Sequence, residues 1–174
     1  MSVFANDVQD LIQKAENGDV QAWAGLADYY HNQQDYINEF YWTEKLANQG
    51  NLQAQNNLGV MYYNNQGVHQ DYAKAVEWFT KSANQGFAEA QFHLGLMYIF
   101  GQGIHQDYTK TVEWFTKSAN QGNVQAQNNL GVMYSQGLGV SQNYEIAKGW
   151  FSKACDNGDQ PSCHNYRILH QQGY

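Results

Sequence analysis

The chain repeats itself with a period of 36 residues. The first half of the unit reads AQNNLGVMY, AQFHLGLMY and AQNNLGVMY, at residues 54–62, 90–98 and 126–134. The second half reads HQDYAKAVEWFTKSANQG, HQDYTKTVEWFTKSANQG and SQNYEIAKGWFSKACDNG, at residues 69–86, 105–122 and 141–158. A fixed period of this length is typical of proteins in which each unit buries its apolar face against its neighbours.

Apolar residues within one unit fall at the spacing of two helices. They are Ala54, Leu58 and Tyr62 in the first segment, and Tyr72, Ala75, Val76, Phe79 and Ala83 in the second. Glycine-bearing turns separate the segments, at Gly101-Gln-Gly103 and Gly137-Leu-Gly139, and Asn65 replaces the first of these glycines one unit earlier. Positive φ suits glycine and, next best, asparagine. The sequence therefore predicts an all-α fold.

A glycine also recurs inside the first helix of three units, at Gly59, Gly95 and Gly131. A glycine there costs about 1 kcal/mol relative to alanine, so a close neighbour is expected to require it. We expect that neighbour to be the tryptophan of the partner helix: Trp78, Trp114 or Trp150.

The repeating unit contains three motifs in succession: A-x-A-Q-x-x-L-G-x-x-Y, G-x-G-[VI] and D-Y-x-K-x-x-x-W-[FY]-x-K-[SA]-A-x-x-G. On these motifs the unit resembles the Sel1-like repeat family, relatives of the tetratricopeptide repeats. The resemblance covers residues 19–158, with Asn65 and Asn143 as departures. It implies a right-handed α-solenoid of helix-turn-helix repeats. The expected parts are an N-terminal capping helix at 1–18, a degenerate repeat at 19–50, repeats at 51–86, 87–122 and 123–158, and a C-terminal capping helix at 159–174.

The chain has two cysteines, Cys155 near the end of a second helix and Cys163 early in the next first helix. In an antiparallel hairpin these positions face each other across a short turn, within the Cα separation that a disulfide requires. The segment KACDNGDQPSC also resembles the Helicobacter cysteine-rich proteins, a secreted, disulfide-bridged branch of the family. The alternative is two reduced, buried cysteines in a cytoplasmic protein.

The cysteine pair bears on the compartment. Residues 1–5, MSVFA, are too short for a signal peptide but end in V-F-A, which is compatible with the tail of a cleavage site in a longer precursor. Together with the paired cysteines, this favours a periplasmic or secreted protein over a cytoplasmic one.

Charge and composition exclude two classes of partner. The net charge is -7, and the nine basic residues form no cluster, so nucleic acid is not an expected partner. No apolar run approaches the roughly 18 residues of a membrane-spanning helix, so membrane insertion is not expected.

The six histidines lack the spacing of a metal site, and we expect neither a metal nor a cofactor. His93 is different, because it replaces Asn57 and Asn129 inside a first helix.

Motifs of catalysis are missing from the sequence. It contains no H-E-x-x-H, no G-x-S-x-G and no phosphate-binding loop. The resemblance to the cysteine-rich proteins implies β-lactam binding or hydrolysis, but the serine motifs S-x-x-K, S-D-N and K-T-G are absent from the sequence. The carboxylates repeat with the period, so Asp71 and Asp107 are expected to cap helices. Glu77 and Glu113 are expected to pair with the lysines four residues later.

A second stripe runs along each first helix. It is formed by residues 56, 60 and 63 in one unit and by the equivalent residues in the others, and in tetratricopeptide-like solenoids it lines the concave face. We call it the first-helix stripe. Its expected binding residues are Asn56, Val60, Tyr63, Phe92, Leu96, Ile99, Phe100, Asn128 and Val132. Apolar anchor residues flanked by side-chain amides are typical of a peptide-binding groove. The alternative is that Phe92, Leu96 and Ile99 pack between neighbouring helices and bind no partner.

These observations predict a monomeric, non-catalytic adaptor for a protein or peptide. The alternatives are an enzyme or binder acting on β-lactams or peptidoglycan fragments, and an immunity protein that inhibits a toxin.

Overall fold

The structure is a computed structural model that describes residues 3–174, with side chains described from residue 8 onwards. Met1 and Ser2, the first residues of the MSVFA segment and of the predicted capping segment, lie outside the described residues. In the described part of the chain all regular structure is helical, which confirms the all-α repeat fold. The helices are α1 Val3–Glu16, α2 Val20–Asn32, α3 Tyr36–Asn48, α4 Leu52–Asn64, α5 Tyr72–Asn84, α6 Ala88–Phe100, α7 Tyr108–Asn120, α8 Val124–Gln136, α9 Tyr144–Asp156 and α10 Gln160–Gln171.

The chain divides into two compact units, the first ending at Ser82 and the second running from Ala83 to Tyr174. In the first unit α1 packs on α2, α2 on α3 and α3 on α4. In the second unit α6 to α10 pack in the same sequential way. Helices adjacent in the chain are thus adjacent in space, as in other helix-turn-helix repeats.

The predicted helix caps are present. Asp71 and Asp107 accept hydrogen bonds from the backbone N–H of Lys74 and Lys110, each at 3.0 Å. Asn143, one of the departures from the family pattern, does the same for the Ile146 N–H at 2.9 Å. An amide oxygen therefore replaces the carboxylate without loss of the cap.

The first helices of three repeats end on a residue in the left-handed region. Asn65 has φ 60°, Gly101 has φ 65° and Gly137 has φ 72°. Their backbone N–H groups donate to the carbonyls of Met61, Met97 and Met133. This confirms that Asn65 fills the conformational role of the glycine it replaces.

The glycines inside the first helices have a different neighbour from the one expected. A Cβ atom at Gly59 would lie 2.6 Å from the Phe79 ring, and one at Gly95 would lie 2.5 Å from the Phe115 ring. Gly131 has the same relation to Phe151. The prediction of a tryptophan was wrong, because the phenylalanine one position further along points at the partner helix.

The tryptophans instead lie beneath lysines. The Lys81 and Lys117 ammonium groups lie 3.8 and 3.9 Å from the ring centroids of Trp78 and Trp114, a cation–π arrangement. Lys81 also pairs with Glu77 at 2.7 Å, as predicted. The predicted pair of Lys117 with Glu113 does not form.

Each junction between a second helix and the next first helix has a contact between residues eight apart, which we call the junction contact. In three junctions a buried glutamine amide donates to a backbone carbonyl: Gln55 to Ala47 at 3.1 Å, Gln91 to Ala83 at 3.2 Å and Gln127 to Ala119 at 3.1 Å. The Trp23 indole N–H donates to Ala15 in the first junction, at 2.8 Å. In the last junction Cys155 and Cys163 lie at disulfide distance, with their Cα atoms 4.6 Å apart.

Candidate binding site

The first-helix stripe of the first unit is largely covered. Asn56 is buried, while Val60 and Tyr63 are half-buried. The Tyr63 ring lies 5.3 Å from that of Tyr72, centroid to centroid. In this unit the stripe therefore offers Val60 and Tyr63 as partly accessible groups.

In the second unit Phe92 and Leu96 have two roles. Both are half-buried and pack against the core formed by Val112, Phe115, Ala119, Ala126, Leu130 and Met133. The Phe92 ring stacks on that of Phe115 with centroids 5.5 Å apart. These two side chains support the core as well as contributing to the surface.

The end of α6 is more open. Ile99 is half-buried, and Phe100, the last residue of the helix, is 65% exposed. Phe100 is thus an apolar ring that the described residues leave largely in solvent. The stripe on α6 is consequently continuous from core-supported Phe92 and Leu96 to exposed Phe100.

The stripe residues of α8 contact the C-terminal helix. Asn128 accepts a hydrogen bond from the Ser162 hydroxyl at 2.8 Å. Val132 packs against the cluster of Ala147, Phe151 and Leu169. These contacts use part of the surface that was expected to bind a partner.

The first unit also contains a cavity that lies largely outside the predicted stripe residues. Its volume is about 330 Å³, and we call it the repeat-1 cavity. Its lining is Ala27, Asp28, His31, Glu39, Thr43, Asn57, Val60, Met61 and Gln66. An adjoining cavity of about 430 Å³ shares Ala27, Asp28, Thr43 and Asn57 with it. Of the predicted site residues, only Val60 lines the repeat-1 cavity.

Two substitutions within the repeat pattern explain this cavity. Aligning Asp35-Tyr36 with Asp71-Tyr72 places Thr43 at the position of Phe79, the ring that packs on Gly59. The same alignment places Glu39 at the position of Ala75, which is fully buried. A small hydroxyl side chain thus replaces a phenyl ring, and a carboxylate replaces a methyl group.

Glu39 has an unusual environment. The residue is only 7% exposed, and its Oε1 atom lies 3.0 Å from Nδ1 of His31, whose side chain is 65% exposed. Its Oε2 atom is buried and has no hydrogen-bond partner. A buried carboxylate oxygen without a partner carries a free-energy cost, which a bound donor would remove.

Asp28 and His31 are the equivalents of Val60 and Tyr63 on the first helix of the degenerate repeat, whereas Glu39 and Thr43 on its second helix were not predicted as site residues. The sequence contains a signal for these last two residues. Asp35-Tyr36 matches Asp71-Tyr72 of the next repeat, and the two residues then interrupt the apolar pattern of the second helix. That signal is visible only when the degenerate repeat is aligned residue by residue with its neighbours.

His93 lies half-buried on α6. Burial lowers its pKa from the ordinary value of 6.5, and the nearby Glu89 carboxylate opposes part of that shift. The neutral imidazole is therefore the form that the folded chain favours.

The pKa of His93 predicts a pH-dependent stability. Below about pH 6.5 the unfolded chain binds a proton that the folded chain binds only at lower pH, so the free energy of unfolding falls as the pH falls. His93→Asn, which introduces the residue found at 57 and 129, is expected to weaken this dependence. Urea unfolding of both proteins between about pH 7.5 and about pH 5.5 measures it. Parallel pH profiles would contradict the prediction.

The described residues form neither a metal-binding group nor a membrane-spanning helix. No group of three or more His, Cys, Asp or Glu side chains there could hold a metal ion. No helix in the same part of the chain is long and apolar enough to cross a membrane. His69 and His105 are exposed residues of equivalent turns.

Comparison with known proteins assigns the family. The family model described as Sel1 repeat matches residues 40–51, 52–87, 88–123 and 124–159. The chain belongs to the Sel1 repeat family. No curated protein sequence matches the chain.

Solved Sel1 repeat structures match the fold. The chain is 37% identical to c5321, a protective antigen of uropathogenic Escherichia coli with an SLR fold, with a TM-score of 0.89 over 95% of this chain and 36% of that one. For a Sel1 repeat protein from Oxalobacter formigenes the identity is 31% and the TM-score 0.81, over 87% of this chain and 60% of that one. The chain thus spans less than two thirds of both proteins.

The cysteine-rich relatives are also represented. Cysteine rich protein B of Helicobacter pylori is 20% identical, with a TM-score of 0.58 over 70% of this chain and 92% of that one. At this identity the likeness shows a common fold. The cysteine pair at disulfide distance is an independent feature that this chain has in its last junction.

Proposed function

We propose that this Sel1 repeat chain is a non-catalytic module that binds a protein or peptide through the first-helix stripe. The observation that carries the proposal is the apolar surface of α6, which ends in the exposed Phe100 ring. Sel1 repeats are scaffolds that commonly serve protein interaction. An exposed aromatic ring beside other apolar side chains is typical of an anchor at such an interface.

Packing of the stripe supports this function. Phe92 and Leu96 are held by the core of the second unit, so their positions are set before a partner arrives. Ile99 and Phe100 extend the same surface toward solvent. Binding to such a preorganised surface loses less side-chain entropy than binding to a flexible one.

The test removes the exposed anchor and keeps the core. Phe100→Ala is expected to weaken partner binding by about 2 kcal/mol, the usual cost of an anchor residue, while the melting temperature stays unchanged. Immobilised wild-type protein is used to retain and identify a partner from an extract of the source organism. The affinity of the purified partner is then measured by calorimetry.

Ile37→Ala is the matched control, because Ile37 is an apolar residue of the first unit that is 74% exposed and lies outside the stripe. It is expected to bind the partner as the wild type does. Equal affinity of the wild type and Phe100→Ala would reject α6 as the binding surface.

The two alternative functions stay predictions with their own tests. A β-lactam or peptidoglycan-directed activity predicts hydrolysis of a chromogenic β-lactam that one point change abolishes. An immunity function predicts tight binding to a toxin and loss of its activity.

We also infer that the chain is exported, to the periplasm or outside the cell, as a monomer. The cysteine pair supports export, since thiols at disulfide distance stay reduced in most cytosols. Mass measurement after thiol alkylation of protein isolated from its source separates the two compartments, because a reduced pair would add two labels. Light scattering measures the oligomeric state.

A further inference from the structure

We propose that the repeat-1 cavity binds a basic side chain, lysine or arginine, of a polypeptide partner. This inference rests on the proposed function, because it supposes that the partner is a protein or peptide. It concerns α2, α3 and α4 of the first unit, whereas the anchor proposed above lies on α6.

Charge is the first argument. The lining contains two carboxylates, those of Asp28 and Glu39, and no lysine or arginine. The His31 imidazole contacts only Oε1 of Glu39, and Oε2 has no partner. An ammonium or guanidinium group would give that buried oxygen a charge-assisted hydrogen bond.

The shape of the lining is the second argument. Ala27, Val60 and Met61 form apolar walls, and the polar groups of Thr43, Asn57 and Gln66 lie among them. A lysine or arginine has this same division, with a hydrocarbon stem and a cationic end. A compact inorganic cation would leave the apolar walls without a partner, and the described residues offer no metal-binding group.

The repeat pattern is the third argument. The Gly59–Phe79 pair, which fills the equivalent space in the next repeat, is replaced by Ala27 and Thr43. The methyl group of Ala75 is replaced by the Glu39 carboxylate. A degenerate repeat that merely lost its packing would leave an apolar void, whereas here the buried Glu39 carboxyl group also lines the void.

The experiment titrates the full chain, ¹⁵N-labelled, with small probes followed by NMR. The cationic probes are N-acetyl-lysine methylamide and N-acetyl-arginine methylamide, and N-acetyl-norleucine methylamide is the uncharged analogue. Alaninamide carries an amino-terminal ammonium and distinguishes a chain terminus from a side chain as the source of the cation. Shifts are expected at Asp28, Asn57 and Gln66 with the lysine or arginine probe alone.

Two variants locate the binding groups. Glu39→Gln keeps the side-chain shape and removes the charge, and it is expected to weaken binding of the cationic probe at least tenfold. Ala27→Gly with Thr43→Phe restores the pair of the next repeat, fills the cavity and is expected to abolish binding. Glu16→Gln removes the same charge from an exposed position of α1 and is expected to change nothing.

Thermal unfolding separates a binding role from a structural one. If Glu39 serves binding, Glu39→Gln does not lower the melting temperature, because the unpartnered oxygen contributes no contact to the fold. A lower melting temperature with unchanged probe affinity would overturn the proposal. So would equal shifts with the norleucine probe, shifts with alaninamide alone, or no shifts with any probe.

The outcomes for the two sites are independent. Phe100→Ala is expected to leave probe binding unchanged, since Phe100 does not line the cavity. Equal partner affinity of the wild type and Phe100→Ala, with intact probe binding, would reject only the proposed function. Weaker partner binding by Phe100→Ala, with no probe binding by the wild type, would reject only this inference.

Discussion

Reduction of the cysteine pair is expected to lower the free energy of unfolding by about 2 to 3 kcal/mol, the chain-entropy value for so short a loop. Cys155 and Cys163 occupy the positions of Ala119 and Gln127 in the preceding junction, where the glutamine amide donates to the alanine carbonyl. The disulfide thus replaces a hydrogen bond as the junction contact. Urea unfolding with and without a reductant measures the difference.

A double variant tests the equivalence of the two contacts. Cys155→Ala with Cys163→Gln introduces the residues of the other junctions, and the new hydrogen bond is expected to restore about 1 kcal/mol relative to Cys155→Ala with Cys163→Ala. Neither variant responds to reductant. Equal stability of the two variants would show that the last junction does not accommodate the glutamine contact.

Gly95→Ala is expected to lower the free energy of unfolding by about 1 to 3 kcal/mol, the range for overpacking a core. The added Cβ would lie 2.5 Å from the Phe115 ring, which is fully buried and stacked on Phe92. The ring cannot move away without disturbing the core. Chemical unfolding of the purified variant measures the loss.

Gly149→Ala is the matched control for this prediction. Gly149 is also inside a helix, α9, but a Cβ there meets nothing within 4 Å. Alanine is expected to raise the stability by about 1 kcal/mol through helix propensity alone. The two substitutions are thus expected to have opposite signs. A gain at both positions would mean that the Gly95–Phe115 contact relaxes at no cost.

Local features of the fold could be predicted because they depend on neighbours in the chain. Asp71, Asp107 and Asn143 cap the helices that they precede, and Asn65 adopts the left-handed conformation of the glycines at equivalent positions. Cys155 and Cys163 were predicted to face each other because their separation spans one turn between antiparallel helices.

Other features could not be predicted because they depend on which side chain points across to the neighbouring helix. The periodicity places both Trp114 and Phe115 near the partner helix, and only packing decides that the phenylalanine touches Gly95. Gln and Asn make up 40 of the 174 residues, and the sequence does not distinguish buried amides from those at the surface. Gln55, Gln91 and Gln127 are buried at the junctions.

The candidate site shows the same division. The α6 stripe could be predicted from helical spacing. Its accessibility could not be predicted, because it depends on the core, against which Phe92 and Leu96 pack while Phe100 stays exposed. The repeat-1 cavity arises where Thr43 fails to fill the space of a phenyl ring.

The sequence alone determined the all-α repeat fold, the period, the caps and the position of the cysteine pair. These features depend on local conformational preferences, and the same local sequence signals occur in several units. Only the tertiary structure decided which residues meet across neighbouring helices: the phenylalanine on the glycine, the glutamine at the junction and the unpartnered oxygen of Glu39. Such contacts depend on side-chain direction and on the volume left by neighbours, and the period does not encode either.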